Sequence, residues 1–301
     1  MNTETALKLK PDELTRFVLK NLETRPLSKT SLCEFKKAPR YYIEYLLGER
    51  KEKEAWLLGK IVECYLLECR YDFDHEKWEK ESFDRKFIVA DKPDLRVKEN
   101  KIKWELLLAE AQSKNLVLIP GSMDLQAQMM AINTLTNPNC KFWIDKKQGL
   151  QKKISWTDKA TELPIIGFID FETEINEHKT IIDNKQSKCA DPEEFYKDVY
   201  KLGYDVQIGS YLTGYHKMYY EFPDFMFMVS TNIMPFDSYM VYCPPDLCNK
   251  AKEDFNNLLI AFKYCIDNNQ FHLGTDFWLF QDTTYHILKR PGYIKSKILS
   301  D

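Results

Sequence analysis

The chain has 301 residues, 44% of them hydrophobic and 14% aromatic, with a formal net charge of -3. That length is enough to bury a substantial core, so size alone demands neither disulfides nor a structural metal. With 18 Phe, 17 Tyr and only 10 Gly the composition excludes a low-complexity chain, and the charge excludes a polycation that holds nucleic acid by overall attraction.

The opening "MNTETALKLKPDEL" lacks a basic start followed by an apolar run, and no stretch approaches 18 uninterrupted apolar residues. "LSKTSLCEFKKAPRYYIEYLLGER", 27 to 50, places the cap residues Ser28, Thr30 and Ser31 before apolar positions at helical spacing, and Pro39 starts a second helical segment. Lys29, Lys36, Lys37, Arg40, Arg50, Lys51 and Lys53 crowd this region, as Lys141, Lys146, Lys147, Lys152 and Lys153 crowd the middle; each cluster alone reads as a solvated charged face. Over 52 to 68 a largely buried helix is predicted, with Trp56, Leu57, Ile61, Cys64, Tyr65 and Leu67 on or near one face and Glu63 within it.

"KFIVA" reads as a strand, "KWELLLAEAQ" as a helix, "LVLIP" as a strand and "MDLQAQMMAINTL" as a helix ending near Pro138. "LQKKISWT", 150 to 157, alternates as a strand does. "LPIIGFIDFETEI" and "HKTIIDNK" follow, joined by the polar turn "NE", as a hairpin-like pair. Asp191, Pro192 and the acids behind them start a helix that Gly203 breaks in two. "FMFMVSTNI" and "SYMVYCP" read as strands and 246 to 269 as a helix. This order of elements predicts one α/β domain with a mixed sheet.

Eight cysteines show no CxxC pair, and several sit inside apolar runs as buried free thiols do; the five histidines, His75, His178, His216, His272 and His286, form no ligand pair. The expectation is a cytosolic, reduced protein with no membrane partner.

The chemistry is concentrated in "IIGFIDFETEINEHKTIIDNKQS", 165 to 187. Two apolar runs each end in an aspartate, so Asp170 and Asp183 are predicted at the ends of neighbouring strands, with carboxylates converging on one point. Two hard oxygen ligands with open positions suit Mg²⁺ or Mn²⁺. Lys185 shares a strand face with Asp183 and could orient a water or stabilise phosphoryl oxygens. Gln207 and Tyr211, spaced i and i+4, share a helix face and can reach a common site.

The ordered set "GFID", "IIDNK" and "YDVQIGSYLTGY" resembles the PD-(D/E)xK nuclease superfamily, and more specifically the RecE-type (exodeoxyribonuclease VIII-like) phage and prophage exonucleases. "LSKTSLCEFKKAPRYYIEY", "WLLGKIVECYLLE" and "GLQKKISWTD" are similar to that group's N-terminal, helical and strand motifs, so the likeness runs from about residue 27 to about 278. The resemblance implies a restriction-endonuclease-like α/β core in which a mixed central sheet is flanked by helices. It divides the chain into an extension (1–26), one nuclease domain (27–280) and a tail (281–301).

It further implies that Asp170 and Asp183 bind the metal, that Lys185 is the catalytic lysine, and that Gln207 and Tyr211 support them. Glu63 stands where the group has a metal-binding histidine, Gln151 where an acid is common, and Ile169 in place of the motif's proline; Glu63 is either a third ligand or an ordinary paired glutamate. Cys33, Cys243, Cys248 and Cys265 are too loosely spaced for the iron-sulfur cluster of related nucleases. The implied function is Mg²⁺-dependent resection of linear duplex DNA in phage-type recombination or repair, in a host cytoplasm, with a single-strand annealing protein and a homo-oligomer among the expected partners. The alternatives are a non-catalytic DNA-binding or assembly protein on the same fold and a structure-specific or single-strand nuclease.

Overall fold

The computed structural model describes residues 9–48 and 54–278. Arg50, Lys51, Lys53, His286 and the expected tail at 281–301 lie outside them. Helix α1, Pro11–Thr24, opens with proline at its first position, and Lys10 N–H donates to the Glu13 carboxylate at 2.8 Å. Its buried stripe of Leu14, Val18 and Leu22 packs into the same core as the helices that follow. Helix α2, Lys29–Lys37, is capped by Ser28, whose N–H donates to Ser31 Oγ at 2.8 Å while Ser31 N–H donates back to Ser28 Oγ at 3.4 Å. Pro39 then starts α3, Pro39–Leu47.

Helix α4, Glu54–Glu63, runs into a π turn, Cys64–Glu68. Ile61, Cys64, Tyr65 and Leu67 are buried as expected, but Trp56 is 52% exposed, because its side of the helix faces a cleft rather than the core. A small antiparallel pair follows, β1 (Arg70–Asp72) with β2 (Lys77–Glu79), then the short helix α5 (Glu81–Asp84). A parallel pair, β3 (Phe87–Val89) with β4 (Val117–Ile119), brackets α6 (Lys98–Ser113). After α7 (Gly121–Thr136) comes a helix not read from the sequence, α8 (Pro138–Asp145), whose cap Asn137 accepts from Asn139 N–H at 3.0 Å.

Strands β5 (Lys147–Thr157), β6 (Pro164–Ile175), β7 (His178–Ser187), β8 (Asp224–Thr231) and β9 (Ser238–Cys243) form one sheet in that order. All neighbours are antiparallel except β7 and β8, so the sheet is mixed. The β6–β7 turn is Asn176 and Glu177, both at positive φ (51° and 64°), as a two-residue turn matching strand twist requires. The parallel β7–β8 step needs a crossover. It is supplied by α9 (Pro192–Lys201) and α10 (Tyr204–Tyr219), separated at Gly203, whose φ of 70° breaks the helix.

Two cores sandwich the sheet. One joins α1, α2, α3, α9, α10 and the long α11 (Pro245–Asp267); the other joins α4, its π turn, α7 and α8. Helix α10 approaches α11 closely at Gly209, where a Cβ would meet Ala251 O at 2.2 Å and Phe255 Cβ at 2.7 Å. All eight cysteines are free thiols. Among the described residues no helix is long and apolar enough to cross a membrane. Replacing Gly209 by alanine must push two backbones apart. Urea unfolding is expected to show a loss of about 1–3 kcal/mol, whereas an unchanged midpoint would mean that the crossing has slack.

Candidate active site

Asp170 and Asp183 do not end their strands: β6 runs on to Ile175 and β7 to Ser187. What ends beside them is the ladder between the two strands. Pairing starts at Ile175–His178 and stops at Phe171–Ile182. Beyond that pair β6 stays with β5, as at Ile169–Lys152, while β7 goes on with β8, from Asp183–Phe227 onward. The hairpin forks, and the two aspartates are the first residues past the fork. Asn184 N–H, which has lost its strand partner there, donates to Asp170 Oδ2 at 2.8 Å.

Asp183 is 1% exposed. Its Oδ1 accepts from Gln207 Nε2 at 2.6 Å, and its Oδ2 pairs with the Lys185 ammonium. Tyr211, one turn further along α10, does not reach a carboxylate. Its hydroxyl donates to Phe168 O at 2.5 Å and so holds β6 two residues before Asp170. Glu63, at the end of α4, takes a hydrogen bond from the Gln151 amide, which also lies 3.5 Å from Asp170 Oδ1. Gln151 reaches across because β5 is irregular there, with a bulge at Gly149 and φ of 48° at Gln151 itself.

The electrostatics follow from crowding acids in a partly dry site. Burial, then the Asp183 and Glu63 charges, hold the Asp170 carboxyl well above the usual carboxylate range. Burial pushes Glu63 up to about 7 against the Gln151 hydrogen bond, with Asp183 adding to the rise. For Lys185 burial alone would depress the ammonium, but Asp183 and Asp170 outweigh it and keep the group above its ordinary value. Lys185 is therefore a charged donor.

The carboxylates of Asp170, Asp183 and Glu63 line one cleft, where a cation would relieve their repulsion, and two carboxylates with room for waters and phosphate oxygens suit Mg²⁺. Asp170 and Asp183 fit that role. Glu63 lines the same cleft but is engaged by Gln151, and among the described residues no three His, Cys, Asp or Glu side chains are gathered as a metal cluster. The cleft above these groups has a volume of about 750 Å³. Lys29, Lys36, Lys37 and Lys201 rim it, Lys36 paired with Asp205 and Lys37 with Glu34, each at 2.6 Å. The middle basic cluster does not converge here: Lys152 is tied to Glu172 at 2.8 Å and Lys141 to Asp145 at 2.8 Å.

Tyr204 escaped the sequence reading, and Lys29 was read only as one member of a basic cluster. Tyr204 places its ring centre 4.9 Å from both Lys185 Nζ and Lys29 Nζ, one aromatic ring serving two ammonium groups. Tyr204 lies three residues before Gln207 on one helix, so its spacing could have marked it; nothing in the sequence marks Lys29 apart from its basic neighbours.

No family model matches the chain, and no curated protein matches it. Among solved structures, the crystal structure of a "putative exonuclease" from Eubacterium rectale is similar at a TM-score of 0.51 and 14% identity, over 81% of this chain and 82% of that one. The structure of SSO0001 overlaps at a TM-score of 0.28 and 16% identity, over 71% of this chain and 92% of that one, which is too loose to carry an argument. The first likeness concerns the fold, a mixed α/β architecture with a five-stranded mixed sheet flanked by helices.

Gln207→Leu keeps the side chain's bulk and removes the donor to buried Asp183. A destabilisation of about 1–3 kcal/mol is expected in chemical denaturation, and none at all would show that Gln207 does not hold that carboxylate.

Proposed function

We propose that the protein is a Mg²⁺- or Mn²⁺-dependent deoxyribonuclease of the PD-(D/E)xK type that shortens linear duplex DNA from its ends, as the RecE-type exonucleases it resembles do. One observation carries the reading: a forked hairpin brings Asp170, Asp183 and Lys185 into one cleft, with Gln207 of the following helix on Asp183. The likeness to the Eubacterium rectale structure supports the same reading at the level of fold.

When bound by Asp170 and Asp183, the ion supplies an acidified water and neutralises charge on the phosphate. Gln207 fixes the Asp183 carboxylate, and the Asn184 N–H fixes that of Asp170. Lys185, whose ammonium pairs with Asp183, would donate to the attacking water or to the oxygens on which charge builds. Tyr211 keeps β6 in place under the phosphate. From the resemblance come a single-strand annealing protein as the acceptor of the product strand and a homo-oligomer as the processive form.

A second reading, a DNA-binding or assembly protein without turnover, draws on a different observation. Lys185 already neutralises Asp183, and Gln151 already hydrogen-bonds Glu63, so these two acids are engaged without an ion.

Digestion of end-labelled linear duplex beside covalently closed circular DNA, with Mg²⁺, separates these readings. Loss of linear DNA alone is expected, slower by about 100-fold or more in Lys185→Ala. Cutting of both forms would make it an endonuclease, and no cutting with any divalent ion would favour the binding protein. Calorimetry with Mn²⁺ is expected to show binding that Asp170→Asn abolishes.

A further inference from the structure

The cleft does not stop at the carboxylates. A second cavity of about 780 Å³ adjoins it and shares Thr30, Glu34 and Trp56 as common lining. Its character is different: Tyr45, Trp56 and Phe168 line it together with Arg25, whose guanidinium lies 5.4 Å from the Tyr45 ring centre.

Two large aromatic side chains are about half exposed here, Trp56 at 52% and Phe168 at 47%. Both follow from the elements that build the site. On α4, Trp56, Gly59, Lys60 and Glu63 recur at i, i+3, i+4 and i+7, so one helix face carries them all along the cleft. Trp56 stands two turns, about 10 Å, from Glu63. Gly59 on that face lies beside the Gln186 side chain of β7, whose Oε1 would be 2.5 Å from a Cβ there. On β6, Phe168 precedes Asp170 by two residues, with Ile169 between them turned into the core. Its carbonyl is the one held by Tyr211, so the strand under the Phe168 ring is fixed.

We propose that Trp56 and Phe168 form a stacking platform for the unpaired bases of a single DNA strand entering or leaving the metal site. The proposal rests on the nuclease reading for its substrate. Paired bases hide their faces against one another, whereas unpaired bases offer a face to every aromatic ring, and base–aromatic stacking is strong and indifferent to sequence. The cavity has the size of a small-ligand cleft and takes one or two nucleotides, not a duplex. Arg25 supplies a cation for the backbone. Glu34 at the shared rim is countered by Lys37 at 2.6 Å, so it does not repel the strand. The cleft therefore has unlike ends, cationic around Lys29 and Lys201 and aromatic around Trp56 and Phe168, and the protein would favour ends with an unpaired overhang over blunt ones.

The test uses the full chain in EDTA, so that nothing is cut, with fluorescein-labelled oligodeoxythymidine and a blunt duplex of equal length as probes for anisotropy. Trp56→Ala and Phe168→Ala are each expected to weaken oligodeoxythymidine binding by roughly 5- to 100-fold and duplex binding by less than about 2-fold; Trp56→Phe retains most of the affinity. Equal losses on both probes, no loss on either, or failure of Trp56→Phe to rescue would overturn the platform. Both alanine variants replace exposed side chains, and their melting curves are read in parallel. Single-strand binding that depends on Trp56 in a protein that never cuts would keep the platform and remove the nuclease reading. Cutting that depends on Lys185 while Trp56 is irrelevant would do the reverse.

Discussion

A buried hairpin cannot come apart without leaving backbone donors and acceptors that need partners, and the fork between β6 and β7 is such a place. Several of the exposed groups are met by residues from elsewhere. Asn184 N–H goes to Asp170, Phe168 O to Tyr211, and Ile166 N–H to Leu27 O, while Leu27 N–H returns to Pro164 O at 2.8 Å. The segment before α2 is thus sewn into the gap that β7 leaves. The orientation of Asp170 is a by-product of this repair, since a carboxylate that must accept from a strand N–H is held in one position.

The fork also lies at the seam of the two cores. Ile169 is buried with α10 and α11, whereas Phe171, only two residues on, is buried with α7 and α8. Asp170 sits between them, and each side of the sheet sends a helix to the site: α10 brings Gln207 and Tyr204, α4 brings Glu63. Charges at such a seam are only half dry. They feel one another strongly while the cleft keeps them open on one side, which is the condition for raised acids and a raised lysine.

Much of this was legible in the sequence where a local rule governed. The turn at Asn176 and Glu177, the cap at Asp191 with Pro192, and the break at Gly203 each follow from the conformational needs of one or two residues, and the strands around them were read in the right places. Where the outcome depended on distant partners, the sequence was silent. Apolar runs ending in aspartate suggested strand ends, but only the competition of β5 and β8 for the same two strands decides that a ladder, and not a strand, stops there. Tyr211 was placed on the correct helix face, yet its partner is a backbone carbonyl that no spacing rule names. Trp56 has the periodicity of a core residue and faces a cleft, because periodicity fixes the face of a helix and not what lies opposite. Helix α8 is only eight residues long, whereas α1 has a proline start and a stripe of Leu14, Val18 and Leu22 that the sequence does display and that was passed over.

The Leu27 stitch has a consequence for the order in which the molecule matures. It joins a residue near the start of the chain to Ile165 and Ile166 in the middle, and the site also waits for Gln207 further on. Contacts this remote in sequence are late and slow to close. A nascent chain emerging from the ribosome therefore carries both aspartates well before it carries a finished pocket, and whatever reactivity the fork confers is withheld until both halves of the protein have met.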